Sequence, residues 1–76
     1  MNKNKEISIG QNIKHIREQK GMTQELLAAR LQLEGIDITR SAVAKIEVGQ
    51  RHLYSDELMA LKKIFDVSYD CILEIK

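Results

Sequence analysis

In the segment "TRSAVAKIEVG", Arg40, Ser41, Ala44 and Lys45 stand at spacings that a helix would bring to one side. On a wheel turning about 100° per residue, these four and Val48 fall within about 140° of arc, while Ala42, Val43, Ile46 and Glu47 occupy the rest. The outer arc is short, cationic and rich in hydrogen-bond donors, and no aromatic ring obstructs close approach. Guanidinium, ammonium and hydroxyl groups on such a face suit a partner that presents acceptor atoms and negative charge. The same residues on a solvated helix would need no partner, so this face alone leaves both readings open.

The inner arc holds one residue foreign to an apolar core. Glu47 lies beside Val43 and Ile46, so its carboxylate is expected to be partly buried and to need a partner. Arg17, at the edge of an Ile9, Ile13, Ile16 stripe, can supply a bidentate guanidinium. That pair would tie a first helix to the end of a third.

Positioning these groups falls to a small scaffold. A chain of 76 residues makes one domain and buries only roughly 60% of the surface its unfolded form exposes, which leaves little room for a cofactor cavity. Hydrophobic residues at 43%, charged residues at 30%, few aromatics and no proline point to a globular, all-helical domain rather than to disorder or a β-sandwich. Net charge is only +1, but it is unevenly placed. Residues 1–20 and 39–52 carry excess positive charge, and 21–38 and 53–76 carry excess negative charge.

Helix signals follow closely along the chain. Residues 1–7 read as a flexible polar arm and 8–76 as the domain. Helix 1 is expected over about 8–20, stopped by Gly21; helix 2 over about 24–34, capped by Thr23 and ending before Gly35. Thr39 can cap helix 3, which Gly49 ends. Ser55, with Asp56 and Glu57, begins helix 4, with Leu58, Leu61 and Phe65 inward; Ser68 begins a short helix 5, with Ile72 and Leu73 inward. Asp66 is expected to take a left-handed turn between the last two.

Several function classes find no support in these residues. Single Cys71 cannot form an internal disulfide, and His15 and His52 lack metal-ligand spacing, so neither redox chemistry nor a metal is expected. Neither a paired carboxylate site nor a nucleophilic triad nor a phosphate-binding glycine loop is recognisable; an enzyme, a cofactor and a small-molecule ligand are not expected. No apolar run approaches the roughly 18 residues of a membrane span, and the start lacks a signal-peptide core, so a cytoplasmic protein is expected. What remains is the outer face of helix 3. The major groove of DNA admits one helix and displays guanine acceptors to Arg or Lys, while Ser bonds to several base edges and Ala can meet a thymine methyl.

At this point the sequence shows a likeness. "MTQELLAARL", "TRSAVAKIEVGQR" and "ELMALKKIFDVSYDCIL" together resemble the lambda-repressor-like, Cro-type regulators of the XRE family, across about residues 9–73. Thr23 and Gln24, Leu27 and Ala28, then Val43, Ile46, Glu47 and Gly49 match that family's pattern in order. The resemblance implies a compact five-helix, all-α DNA-binding domain whose helix-turn-helix is formed by helices 2 and 3, with helix 3 in the major groove. It implies base contacts by Arg40, Ser41, Ala44 and Lys45. Phosphate contacts would come from Thr23, Gln24, Thr39, Gln50, Arg51 and His52, helped by helix N-termini. Arg17 and Glu47 match the family's buried pair.

The implied function is a transcriptional regulator, a repressor, of double-stranded DNA. A two-fold symmetric operator and a homodimer through helix 5 would accompany it. The alternative is a protein-interaction module, such as an antitoxin or adaptor, that keeps the fold without reading bases. One departure bears on geometry: "LEGIDI", Leu33–Ile38, lengthens the connection between helices 2 and 3 by about five residues relative to the usual pattern. Ile36 and Ile38 are expected to tuck one or both side chains against the core.

Overall fold

The computed structural model describes residues 3–74, and five helices account for most of them. They are α1 (Lys3–Gln19), α2 (Gln24–Leu33), α3 (Arg40–Glu47), α4 (Ser55–Phe65) and α5 (Tyr69–Leu73). The boundaries of α2 and α3 agree with the sequence reading to within a residue, because their starts are built from local chemistry. Thr23 Oγ1 accepts from the Leu26 N–H at 3.0 Å, and Thr39 Oγ1 accepts from the Ala42 N–H at 3.1 Å. Each thereby satisfies a donor that the first helical turn leaves without an internal partner. Asp66 takes the expected left-handed conformation, with φ 54°.

The start of α1 differs from expectation. Lys3–Ile7, read as part of a flexible arm, instead form the opening turns of the helix; residues 1 and 2 of that arm lie outside the described residues. What holds these turns is remote in sequence. Ile7 packs against Gly49, and Glu6 faces His52. Local periodicity begins at Ile9, so these contacts leave no trace in the spacing of apolar residues.

Ile13, Leu27, Leu31, Ile38, Val43, Leu61, Phe65 and Ile72 are the largest fully buried side chains, and every helix contributes to this cluster. Leu73, expected inward, keeps 37% of its surface exposed, because the short α5 turns only Ile72 fully to the core. Leu58 is half-buried against the cluster.

The long α2–α3 connection is anchored at both ends. Gly35 follows the end of α2, with its N–H bonded to the Gln32 carbonyl at 3.0 Å and that of Ile36 to the Leu31 carbonyl at 3.0 Å. Gln32 Nε2 then donates to the Ile38 carbonyl at 2.8 Å. Ile38 is 2% exposed and Ile36 half-buried, so the connection adds to the core. Burying an isoleucine of this kind contributes roughly 1.5–3 kcal/mol.

Gly10 sets the distance between α1 and α3. A Cβ at that position would stand 2.3 Å from the Ile46 carbonyl oxygen and 2.6 Å from that of Glu47. Only hydrogen fits there, and the backbone of α1 therefore rests directly on the end of α3. Gly49 closes the same contact from the other side, combining φ 78° with Ile7 Cγ1 2.6 Å from where its Cβ would be. Gly10, a lone glycine inside a helix, costs about 1 kcal/mol in propensity, which close approach offsets.

Candidate nucleic-acid interface

With α1 pressed on its inner side, α3 can present only its outer side to solvent. Arg40, Ser41 and Lys45 are exposed and Ala44 is half-buried between them. Val48, just past the helix end, keeps 55% of its surface exposed. Neither Arg40 nor Lys45 has an ion-pair partner among the described residues. Two of the domain's cations are thus held on one face of a short helix and left available.

Beneath that face lies the buried pair expected from sequence. Arg17 Nε donates to Glu47 Oε2 at 2.6 Å and Nη2 to Oε1 at 3.1 Å, while Nη1 donates to the Met22 carbonyl at 2.8 Å. Side-chain exposure is 9% for Arg17 and 1% for Glu47. Hydrogen bonding to Glu47 raises the Arg17 pKa above its ordinary value, so the guanidinium stays charged despite burial. The pair locks α1 to the last turn of α3 and, through Met22, to the connection before α2.

Gln24 joins this network. Its Nε2 donates to Glu47 Oε1 at 3.0 Å. A carboxylate accepts only, so the amide nitrogen must be the atom facing Glu47, and one amide hydrogen remains for an outside acceptor. Arg17, Thr23, Gln24, Glu25 and Arg40 together line a shallow open groove between the starts of α2 and α3. Two helix N-termini border it, each attractive to an anion.

The segment after α3 behaves differently. Arg51 is half-buried, and its Nη1 and Nη2 donate to Glu57 Oε1 and Oε2 at 3.0 and 2.9 Å. Nη1 also donates to the His52 carbonyl at 2.9 Å, and the guanidinium sits 5.4 Å from the centre of the Tyr54 ring. The hydrogen bonds to Glu57 raise the Arg51 pKa. His52 Nδ1 faces Glu6 Oε1, without the geometry of an aligned hydrogen bond. Gln50 is exposed. Of the three residues expected to meet phosphate here, only Gln50 is free of an internal charged partner.

Glu57 is the residue the sequence reading missed. It was expected to serve only as an acidic group in the first turn of α4, yet it is 4% exposed and also accepts from the Tyr54 N–H at 2.9 Å. A carboxylate three residues after a helix N-cap commonly reaches back in this way. That spacing was the available signal, though it does not by itself pair Glu57 with Arg51.

Among the described residues no helix is long and apolar enough to cross a membrane. The helix-turn-helix family profile matches residues 13–70. In structure, the chain resembles the restriction-modification controller protein C.AhdI from Aeromonas hydrophila, with a TM-score of 0.73 and 30% identity, covering 87% of this chain and 92% of that one. No curated protein sequence matches the chain. The matched region takes in α2, α3 and the buried Arg17–Glu47 pair between α1 and α3, and by that match the protein belongs to the helix-turn-helix family of XRE-type, DNA-binding transcription regulators.

Proposed function

We propose that the protein is a sequence-specific repressor that reads the DNA major groove with α3. The observation that carries this reading is the exposed Arg40, Ser41, Lys45 face, whose cations lack ion-pair partners among the described residues while the opposite side of the same helix is fixed by the core. Arg40 and Lys45 would donate to guanine acceptors, Ser41 to a base edge, and Ala44 would allow close approach or meet a thymine methyl. Thr23, Thr39, Gln50 and the second amide hydrogen of Gln24 would hold the phosphates. The exposed His52 would join them, whereas Arg51 is left out of this set because the buried Glu57 already engages both of its terminal nitrogens.

A homodimer joined through α5 on a two-fold symmetric operator completes the proposal. Tyr69 and Leu73 keep 38% and 37% of their surfaces exposed on that short helix, and a two-fold protein would place two copies of α3 about 34 Å apart, one helical turn of DNA. The reading is tested by incubating the protein with a random duplex pool and sequencing what is retained, alongside Arg40→Ala/Lys45→Ala. A symmetric motif that the variant loses is the expected result. A folded protein that enriches no sequence would overturn it and favour the adaptor or antitoxin reading.

A further inference from the structure

The flank of α1 beside α3 carries charge that the base-reading face does not account for. Lys3, Ile7, Gly10 and Lys14 succeed one another at intervals of four, three and four residues, and so form one stripe along the helix. The middle of that stripe is seated on α3 and its exit, Gly10 against the carbonyls of Ile46 and Glu47 and Ile7 against Gly49. Its two ends are the exposed Lys3 and Lys14, neither with an ion-pair partner among the described residues. Each stands about one helical turn, roughly 5.4 Å, beyond the seated pair. The stripe therefore ends in a cation on either side of the point where α1 meets the recognition helix.

Other charges near the stripe do not cancel it. Glu6 is turned to His52, and Glu18 lies a further turn beyond Lys14. Lys5 falls on the opposite side of α1, in line with Asn12, whose Nδ2 donates to the Ile72 and Glu74 carbonyls at the end of α5.

We propose that Lys3 and Lys14 contact DNA backbone phosphates flanking the groove that α3 enters, making α1 a second, sequence-independent part of the interface. The inference rests on the DNA-reading role of α3. A lysine ammonium is a point charge on a flexible stem, suited to a phosphate and poor at distinguishing bases. Because α1 sits on α3 with no side chain between them at Gly10, the two cations would move with the recognition helix as one body.

The test is binding of the full chain to its selected duplex over a salt series, followed by fluorescence anisotropy. Lys3→Gln/Lys14→Gln is compared with Lys5→Gln/Lys63→Gln, which removes equal charge from other faces. The expected loss of log-log salt slope is about 1.8 for the first variant, at about 0.9 per phosphate contact, with affinity down several tens-fold near 0.1 M salt. The ranking of operator variants should stay as in the wild type. Equal slopes for the two variants, or a changed ranking of sequences, would overturn the proposal while leaving base reading by α3 intact. If the wild type binds no duplex, the reading beneath it fails instead.

Discussion

Arg40 and Arg51 bracket α3, and both were expected to meet DNA, yet the fold treats them in opposite ways. Arg40 opens α3 exposed to solvent and without an ion-pair partner among the described residues. Arg51 spends its donors on Glu57 and the His52 carbonyl and stacks near Tyr54. A cation already held by a buried carboxylate has little net charge left for a phosphate, and withdrawing it would expose Glu57 to an uncompensated burial cost. Two arginines that flank the same helix are thus left in different states, one free of charged partners among the described residues and one paired with a buried carboxylate. On the proposed function the first arginine is the one left to recognise DNA, while the second holds the exit from the helix in place.

The largest effect is expected beneath the Arg40 face, at the buried charge that ties α3 to α1. Glu47→Ala would leave Arg17 buried without its carboxylate and release Gln24, and loss of one partner of a buried pair costs about 3–5 kcal/mol. For a domain this small that approaches its whole stability. Chemical denaturation should show a folded fraction that collapses or a midpoint far below wild type; an unfolding free energy within about 0.5 kcal/mol of wild type would mean that the pair is not a support.

Arg51→Ala comes next in size. It should destabilise by about 1–3 kcal/mol, since Glu57 is buried and would lose two hydrogen bonds, while the salt slope of DNA binding stays unchanged. Replacing both partners, Arg51→Met/Glu57→Met, should recover much of that loss. A slope lower by about 0.9 in the single variant would instead restore Arg51 to the phosphate-contacting set. Arg40→Ala and Lys45→Ala should show the reverse profile. Each would change stability by under about 0.5 kcal/mol, yet cost about 1–3 kcal/mol at the matched operator and relax selectivity at one base position.

The same contrast explains what could be read without coordinates. The Arg17–Glu47 pair was legible because each half stands at an apolar helical position, where burial follows from periodicity alone. Thr23 and Thr39 were legible as caps because a cap bonds within three residues. Glu57 was not, since an acid in a first helical turn is ordinary, and its burial depends on how the loop after α3 folds over it. The opening turns of α1 were missed for a related reason: Glu6 and Ile7 are fixed by His52 and Gly49, partners that no local pattern names. Gly10 reads as a weak spot in a helix until its closeness to α3 is known.

The smallest test separates the two roles within a single residue. Thr39 Oγ1 accepts the Ala42 N–H at the start of α3, and the same hydroxyl keeps a hydrogen to donate outward. Thr39→Asp keeps the cap and removes the donor, replacing it with negative charge beside Arg40, whereas Thr39→Gly keeps helix entry at a cost of only a few tenths of a kcal/mol. Stability should therefore change little in either variant. Operator binding should fall in both if the hydroxyl meets a phosphate, and further in the aspartate variant through repulsion. If the glycine variant binds as wild type does, Thr39 is a cap alone, and phosphate contact at the start of α3 must come from its backbone N–H groups.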